Sequence, residues 1–454
     1  MIEIRPPVYS FATGNQLKML WDPLGYLLGL RKRFGDLVRI DQGGQATFLV
    51  SHPELIHELL VTRAGSLSKA RGLRMARRML GDGLLTSEGE FHRQQRRLMS
   101  PGFTPDQAAG FAEPIVSLAA QASSRWRHGA RLDCLHEFNQ LTLAIAGRTL
   151  FDSDFQAQAA LIAGMLNQGR WLFRWGTLLF PIFEWLERFP PVRRLLLHKR
   201  GRIDALVYPI IHAHRQAPRA NLLSRLIQAG MADEAVRDEA VTLLLAAHET
   251  TANALAWTCH LMALHPDWQG RLAQELQLRL GGRPASAEDT EHLPLLRNIL
   301  LESMRLFPPN WMIARAARED FQLGDHLVPA GSTCLVSQYV LHRQPEWFPE
   351  PDRFDPDRWL RCPRAKLPRM AYLPFGVGAR RCIGEHFALL ECQLILATLL
   401  QHWWLEPTPG QRVRPDPGIS LRPRPGPRLR LLSKSQAQSS GKISRNCAPP
   451  PTIT

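Results

Sequence analysis

The segment Phe375-Gly-Val-Gly-Ala-Arg-Arg-Cys-Ile-Gly384 decides the fold of the chain. Its pattern is Phe-x-x-Gly-x-Arg-x-Cys-x-Gly. A cysteine thiolate that binds a metal needs a lowered pKa, backbone N–H donors near its sulfur and close approach to a flat cofactor. Gly376, Gly378 and Gly384 permit tight turns, and a helix that begins after Cys382 would direct its positive end at the sulfur. The segment therefore predicts a ligating thiolate at Cys382, although an isolated cysteine is more often a small buried hydrophobic residue.

Helical periodicity dominates the rest of the chain, and extended, β-branched stretches are few and short. This mixture predicts a mainly α protein with a small β-sheet region. The helical segments include residues 55–60, 105–125, 222–228 and 387–402. The extended segments are residues 37–40, 47–50 and 333–336.

One long segment, residues 234–264, is apolar on most faces, which is typical of a helix that runs through a protein core. A membrane span is disfavoured, because polar side chains at its centre would be costly in lipid. These polar residues are His248, Glu249, Thr250, Thr251 and Asn253. Polar side chains in the middle of a protein core require a structural or functional explanation.

The chain shows no internal repeat and no Gly/Ser-rich linker before its end. After about Leu432 the sequence becomes polar and then rich in proline, as in disordered segments. We therefore expect one domain over residues 1–432 and a disordered tail over residues 433–454.

The composition and net charge of the chain limit which partners it can bind. With 454 residues, 45% of them hydrophobic, it can bury a large core. The net charge of +15 is compatible with a nucleic acid, an anionic membrane or an acidic protein as partner. Part of that charge is local, because residues 421–454 contain seven Lys or Arg and no Asp or Glu. No basic run is interleaved with stacking aromatic residues, so we expect no nucleic-acid binding.

The seven cysteines are scattered and form no Cys-x-x-Cys pair, which favours reduced thiols in the cytoplasm. Residues 1–15 lack the layout of a signal peptide, and the chain has no apolar run of membrane length. We therefore expect a cytoplasmic protein with no membrane anchor.

Around Cys382 the chain resembles the cytochrome P-450 family, and the resemblance extends over roughly residues 20–430. Glu302-Ser-Met-Arg305 is similar to the family's Glu-x-x-Arg, and Pro351-Asp-Arg-Phe354 is similar to its later Pro-Glu-Arg-Phe region. Alone, a Glu-x-x-Arg is usually an exposed helical pair. Here the order of the motifs along the chain supports the assignment of Glu302 and Arg305 to the family motif. The resemblance implies a buried ion-pair network of Glu302, Arg305 and Arg353.

This resemblance implies the cytochrome P-450 fold, a triangular, mainly α prism around a buried heme b (iron protoporphyrin IX). Cys382 would be the axial ligand of the iron, and Phe375, Gly376 and Gly384 would contribute to the heme site. It also implies a monooxygenase that inserts one oxygen atom from O2 into a lipophilic small molecule, by hydroxylation or epoxidation. A thiolate ligand favours cleavage of the O–O bond.

The sequence Ala246-Ala-His-Glu-Thr-Thr251 resembles the family's oxygen-binding signature. By this resemblance Thr250 would hydrogen-bond the dioxygen, Glu249 would feed a proton relay through water, and Ala246 and Ala247 would border the heme. Reduction of dioxygen requires protons, so a buried alcohol backed by an acid is a sensible arrangement. Ala247 stands where the family usually has glycine, which puts the depth of the oxygen groove in doubt. The alternative is that neighbouring helices satisfy these polar residues.

Four cationic side chains resemble the family's partners of the heme propionates, which want cationic or hydrogen-bonding groups. His92 and Arg96 are four residues apart and therefore share one helix face. Many relatives carry Trp at the position of His92. Arg315 and Arg380 resemble the remaining propionate contacts.

The electron donor is expected to be a ferredoxin- or flavodoxin-type protein with its NAD(P)H reductase, because too little chain follows Cys382 for a fused flavin domain. Arg93, Arg97 and Arg381 would form a basic surface for this acidic carrier. The apolar segments 171–185 and 308–313 would border the substrate, or else pack in the core.

Other functions stay open from the sequence alone. A peroxide-driven peroxygenase or a heme-thiolate isomerase would share the fold, but such relatives tend to lose the acid and alcohol that Glu249 and Thr250 provide. A non-catalytic heme sensor or carrier would bind heme without turnover. A basic nucleic-acid binder would not bind heme.

Overall fold

Helices predominate in the computed structural model, which describes residues 8–10, 18, 19, 21–42, 45–155, 162, 164, 190–219 and 221–434. The chain divides into two units. The first comprises Met1–Met75 and Met304–Cys382, and the second comprises Ala76–Ser303 and Ile383–Thr454.

The α-helices of the described residues are numbered in chain order. They are α1 (Pro23–Phe34), α2 (Pro53–His57), α3 (Arg71–Leu80), α4 (Gly89–Met99), α5 (Pro105–Ala109), α6 (Ala112–Ser124), α7 (Cys134–Ala146), α8 (Pro190–Gln216), α9 (Leu222–Gln228), α10 (Asp233–Leu264), α11 (Pro266–Leu280), α12 (Pro294–Leu306), α13 (Gln338–Leu341), α14 (Arg358–Arg361) and α15 (Glu385–His402).

The strands are short. They are β1 (Val8–Ser10), β2 (Leu37–Gln42), β3 (Gln45–Val50), β4 (Leu67–Lys69), β5 (Arg131–Asp133), β6 (Ile313–Ala317), β7 (Phe321–Leu323), β8 (His326–Val328), β9 (Thr333–Val336), β10 (Trp403–Pro407), β11 (Arg414–Pro417), β12 (Leu421–Arg424) and β13 (Arg428–Ser433).

The first unit is built on a six-stranded sheet in the order β1-β2-β3-β9-β6-β4. Strands β3 and β9 pair in parallel, with Thr47 opposite Thr333, and β6 is antiparallel to β9. Phe48, Leu323 and Val336 are fully buried in its hydrophobic core. The three strands predicted from the sequence are present, with β2 and β3 each two residues longer than predicted.

The second unit is built around α10, which packs against α7, α8 and α15. It begins one residue before the predicted start and ends at the predicted Leu264. Buried residues occur on all sides of it, as expected for a helix that runs through a core. The second unit also contains the sheet β10-β13-β5 and the β11-β12 hairpin.

The predicted single helix over residues 105–125 is wrong in one respect, because the chain forms the two helices α5 and α6 there. Pro114 has no N–H to donate to the carbonyl one turn earlier, so a continuous helix would lose a hydrogen bond at Gly110. A new helix that begins at Ala112 places Pro114 in its first turn, where no such bond is needed.

The predicted start of the tail is also wrong. Ser433 lies in β13 opposite Trp403, and its N–H donates to His128 Nδ1 at 3.1 Å. The Lys434 ammonium then donates to the carbonyl of Leu400. Pairing with β10 thus overrides the polar composition of Ser433. Residues 435–454 lie outside the described residues, so the disordered tail stays a prediction there.

The predicted ion-pair network needs a correction at Arg353. In the first unit the fully buried Arg305 donates to the carbonyl oxygens of His342 and Arg353, at 2.8 and 3.1 Å. The Arg353 guanidinium is itself exposed and pairs with Glu350. A second Pro-Asp-Arg ends at Arg358, which is buried and donates to the carbonyl of Glu350. The first copy of this repeated tripeptide was predicted to join the network, although the second copy provides the buried arginine.

Candidate functional site

Cys382 ends the first unit on a loop that the backbone holds closed. Its N–H donates to the carbonyl of Phe375 at 2.9 Å, and the N–H of Arg381 donates to that of Gly378 at 3.1 Å. Residues Gly378–Arg380 form a 3-10 turn within this loop. Cys382 itself is exposed. The loop therefore presents the thiol rather than burying it.

Two glycines in this loop adopt backbone conformations that other residues rarely take. Gly376 and Gly378 both have φ of +69°. A Cβ at Gly378 would lie 2.8 Å from the carbonyl oxygen of Leu60, so a larger residue would also collide with backbone. Here the requirement for glycine is both conformational and steric.

The remaining described cysteines differ from Cys382 because they are less accessible. Burial raises the pKa of Cys259 and of Cys334 to about 12, and it raises the pKa of Cys134 and Cys392 well above the ordinary value. These four thiols therefore keep their protons at neutral pH. Among the described cysteines, Cys382 is the exposed one.

In the second unit, α10 has an open face in the middle of its otherwise buried length. Ala246 is exposed, and Leu245, Ala247 and Thr250 are partly exposed. Residues Val241–Leu244 before this face and Thr251–Cys259 after it are buried. We call the four exposed or partly exposed residues the open face of α10.

Thr250 and Thr251 both bond back to the helix, with their hydroxyls donating to the carbonyls of Ala246 and Ala247 at 2.7 and 3.0 Å. Such bonds compete with helix hydrogen bonding and loosen the turn. Thr250 lies on the open face, whereas Thr251 is buried. Burial raises the pKa of Glu391 well above its ordinary value.

Glu249 is buried on the side of α10 that contacts β12. Its Oε1 accepts a hydrogen bond of 2.9 Å from the hydroxyl of Ser420, which precedes β12. His248 is also buried, and its Nδ1 lies 2.7 Å from the carbonyl oxygen of Leu244. Burial lowers the pKa of His248, so its ring is neutral at pH 7. Ser420 was not predicted as a site residue, because no sequence motif links the β11-β12 hairpin to α10.

The two faces of α4 are distributed as predicted. His92 is buried and Arg96 is half-buried, whereas Arg93 and Arg97 are exposed. The Nε of Arg93 donates to Glu90 one turn earlier, at 2.9 Å, so this arginine also forms a local ion pair. In the first unit Arg315 lies on β6, half-buried, with one Nη donating to the carbonyl of Ala314, and Arg380 is half-buried on the 3-10 turn.

Each unit therefore contains part of the predicted site. The first unit holds the candidate ligand and part of the candidate heme contacts, namely Cys382, Phe375, Gly376, Arg380 and Arg315. The second unit holds the candidate oxygen-site residues Thr250, Glu249, Ala246 and Ala247, the propionate candidates His92 and Arg96, and the heme-site candidate Gly384.

Of the two segments predicted to border the substrate, residues 171–185 lie outside the described residues. Within residues 308–313, Trp311 is buried, and its carbonyl accepts a hydrogen bond of 3.1 Å from the hydroxyl of Ser337. The Trp311 side chain thus belongs to the core of the first unit, whereas Met312 next to it is partly exposed.

Comparisons with known proteins give matches to one protein family. The family model for Cytochrome P450 matches residues 5–429. The chain is 35% identical over 418 residues to cyclooctat-9-en-7-ol 5-monooxygenase of Streptomyces melanosporofaciens, covering 87% of this chain and 88% of the relative. It is 30% identical over 444 residues to pentalenene oxygenase of Streptomyces avermitilis, covering 94% and 96%.

Solved structures are similar as well. A crystal structure of a cytochrome P450 (CYP102L1) matches with a TM-score of 0.80 and 26% identity over 91% of this chain and 94% of that one. CYP175A1 of Thermus thermophillus matches with a TM-score of 0.75 and 27% identity over 94% and 99%. Among the helices that the structure describes, none combines the length and hydropathy needed to cross a membrane.

Proposed function

The chain belongs to the cytochrome P450 family and is a heme-dependent monooxygenase, and from this premise we propose that it oxygenates a lipophilic alicyclic alkene or alkenol. The open face of α10 carries this proposal, because its side chains are apolar except for the Thr250 hydroxyl. An apolar surface with one polar group favours a substrate that is bound mainly by shape and hydrophobic contact. The names of the two relatives given above specify an alkenol and an alkene as substrates.

We propose that the heme is heme b and that Cys382 is its ligand, and the residues of each unit fit such a group. The first unit offers an exposed thiol on a loop whose glycines allow close approach. The second offers small side chains at the midpoint of a core helix, which leaves room for a flat cofactor. Phe375 would shield the sulfur, and His92, Arg96, Arg315 and Arg380 would bind the propionates.

Heme, when bound, supplies the iron at which dioxygen is activated. We propose that the chain itself supplies the thiolate, a dry apolar surface that orients the substrate, and a route for protons. In this route the Thr250 hydroxyl holds a proton at the open face, and Glu249 replenishes it through water. Consecutive residues of a helix point about 100° apart, which explains why Glu249 can be buried while Thr250 is partly exposed.

The substrate proposal is tested by supplying the holoprotein with reduced ferredoxin and isotope-labelled dioxygen against a panel of alicyclic alkenes and alkenols. Straight-chain fatty acids of similar carbon number are the matched control class. We expect one labelled oxygen atom in an alicyclic product and a low-to-high spin change on binding of the same compound. Turnover of the fatty acids alone would contradict the substrate class. Products formed only with added peroxide would identify a peroxygenase instead.

We propose a ferredoxin- or flavodoxin-type electron donor, with its NAD(P)H reductase, that docks on the exposed face of α4. Arg93 and Arg97 lie on this face together with the exposed apolar side chains of Phe91 and Leu98. Charge complementarity steers association, and salt weakens it. The described cysteines form no disulfide with one another, which supports a cytoplasmic location for this chain.

Reversal of both charges, Arg93→Glu with Arg97→Glu, is expected to slow reduction by an acidic carrier about tenfold or more at low salt. The matched control is Arg127→Glu with Arg131→Glu, which makes the same change in net charge at exposed sites outside α4. Reduction is followed by stopped flow at several ionic strengths. If both double variants slow reduction equally, or if the reduction rate does not depend on ionic strength, electrons enter at another surface.

A further inference from the structure

One face of α10 is hydrogen-bonded to the β11-β12 hairpin through residues at successive turns. Glu249, Asn253 and Trp257 are spaced by four residues and therefore share this face. Asn253 Nδ2 donates to the Ser420 hydroxyl at 3.0 Å, and that hydroxyl donates to Glu249 Oε1 at 2.9 Å. One turn further on, Trp257 Nε1 donates to the carbonyl of Leu421 at 3.2 Å.

The first two of these bonds form a chain with a fixed direction. A hydroxyl has one proton to give, and Asn253 fills an acceptor position of Ser420, so the Ser420 proton is directed at Glu249. Ser420, Asn253 and Glu249 are 2%, 1% and 5% exposed, so water does not compete strongly for these bonds. Buried hydrogen bonds to a carboxylate are stronger than bonds between neutral groups, and linked bonds reinforce each other.

We propose that Ser420, oriented by Asn253, is a positioning residue for Glu249. The bond to Oε1 fixes one carboxylate oxygen and thereby sets the direction of the other. Because Glu249 points toward the hairpin and Thr250 lies on the open face, the angle of the carboxylate decides whether the intervening water can reach both groups. Ser420 and Asn253 therefore control proton delivery without touching substrate. This inference rests on the proposed role of Glu249 as the acid of the relay.

The decisive variants remove the Ser420 hydroxyl or restore it. Ser420→Ala is expected to lower the product formed per electron pair about threefold to tenfold, with a matching rise in hydrogen peroxide. Ser420→Thr keeps the hydroxyl and should return the yield toward that of the wild type. Trp257→Phe is the matched control. It removes the neighbouring hydrogen bond to the hairpin but leaves the hydrogen bonds from Asn253 to Ser420 and from Ser420 to Glu249 intact. Asn253→Ala should give an intermediate loss, since the hydroxyl remains but is no longer oriented.

A second measurement does not depend on turnover. In a double-mutant cycle, Ser420→Ala and Glu249→Met are compared singly and together for the equilibrium constant of unfolding in denaturant. The double variant should depart from the product of the single effects by about threefold or more, as expected for directly bonded residues. If Ser420→Ala takes up no heme, Ser420→Cys replaces it in both measurements, since a thiol is a weaker donor of similar size.

The possible outcomes separate this inference from the function on which it rests. If Glu249→Gln leaves the yield per electron pair unchanged, the proposed relay itself is wrong. If Glu249→Gln lowers the yield but Ser420→Ala does not, Glu249 acts without positioning by Ser420. If Trp257→Phe lowers the yield as much as Ser420→Ala, the hairpin matters only as an anchor. A double-mutant cycle that shows no coupling between Ser420 and Glu249 would likewise overturn the inference.

Discussion

Cys382→Ser is expected to abolish the red-shifted Soret band that the reduced protein shows under carbon monoxide, whereas Cys392→Ser keeps it. The band reports a thiolate ligand, and serine at neutral pH supplies no anionic sulfur. Cys382 is exposed on a glycine-rich loop. Cys392 is buried in α15, where burial raises the pKa of its thiol well above the ordinary value. Of these two cysteines, ten residues apart, the buried Cys392 therefore keeps its proton at neutral pH.

The measurement is the difference spectrum of each variant at equal protein concentration, together with its heme content and circular dichroism. Cys392→Ser places a hydroxyl in an apolar interior and should lower the free energy of unfolding, by about 1–3 kcal/mol. Loss of the band in folded, heme-loaded Cys392→Ser would show that the ligand is misassigned. Retention of the band in Cys382→Ser would show the same.

The elements that periodicity defines strongly were predictable from the sequence. The start of the central helix was predicted to within one residue. Its 32 residues contain no proline or glycine at which the helix would be expected to end. The short strand β9 was placed correctly after its Pro-Ala-Gly turn. The backbone conformations of Gly376 and Gly378 could also be anticipated, since tight turns favour glycine, whereas Gly384 adopts an ordinary φ of −88°.

Long-range contacts were not predictable in the same way. Arg353 and Arg358 both follow Pro-Asp, and only the folded chain shows that the second one is buried. Ser420 is separated by 171 positions from Glu249, with which it forms a hydrogen bond. Neither residue has a local pattern that sets it apart, because burial and partner choice depend on how distant elements pack. The same is true of Ser433, whose strand pairing overrides a polar composition.

Thr250→Ala is expected to leave heme binding and substrate binding intact while diverting electrons into hydrogen peroxide. Among the residues of the open face of α10, Thr250 carries the hydroxyl, and its Oγ1 bonds to the carbonyl of Ala246. Without that hydroxyl the face is wholly apolar, and no side chain there can hold a proton for transfer. A positioned general acid contributes on the order of a hundredfold or more, so product per electron pair should fall at least about tenfold.

Thr258→Ala is the matched control for this prediction. Thr258 lies on the same helix and makes the same bond, from its hydroxyl to the carbonyl of Ala254 at 2.7 Å, but it is fully buried two turns further on. Any effect of losing a back-bonded hydroxyl on the shape of the helix should therefore appear in both variants. Product, peroxide and electron consumption are measured together. If Thr258→Ala uncouples as strongly as Thr250→Ala, or if Thr250→Ala keeps its full yield, Thr250 has no part in proton delivery and its hydroxyl serves only the geometry of the helix.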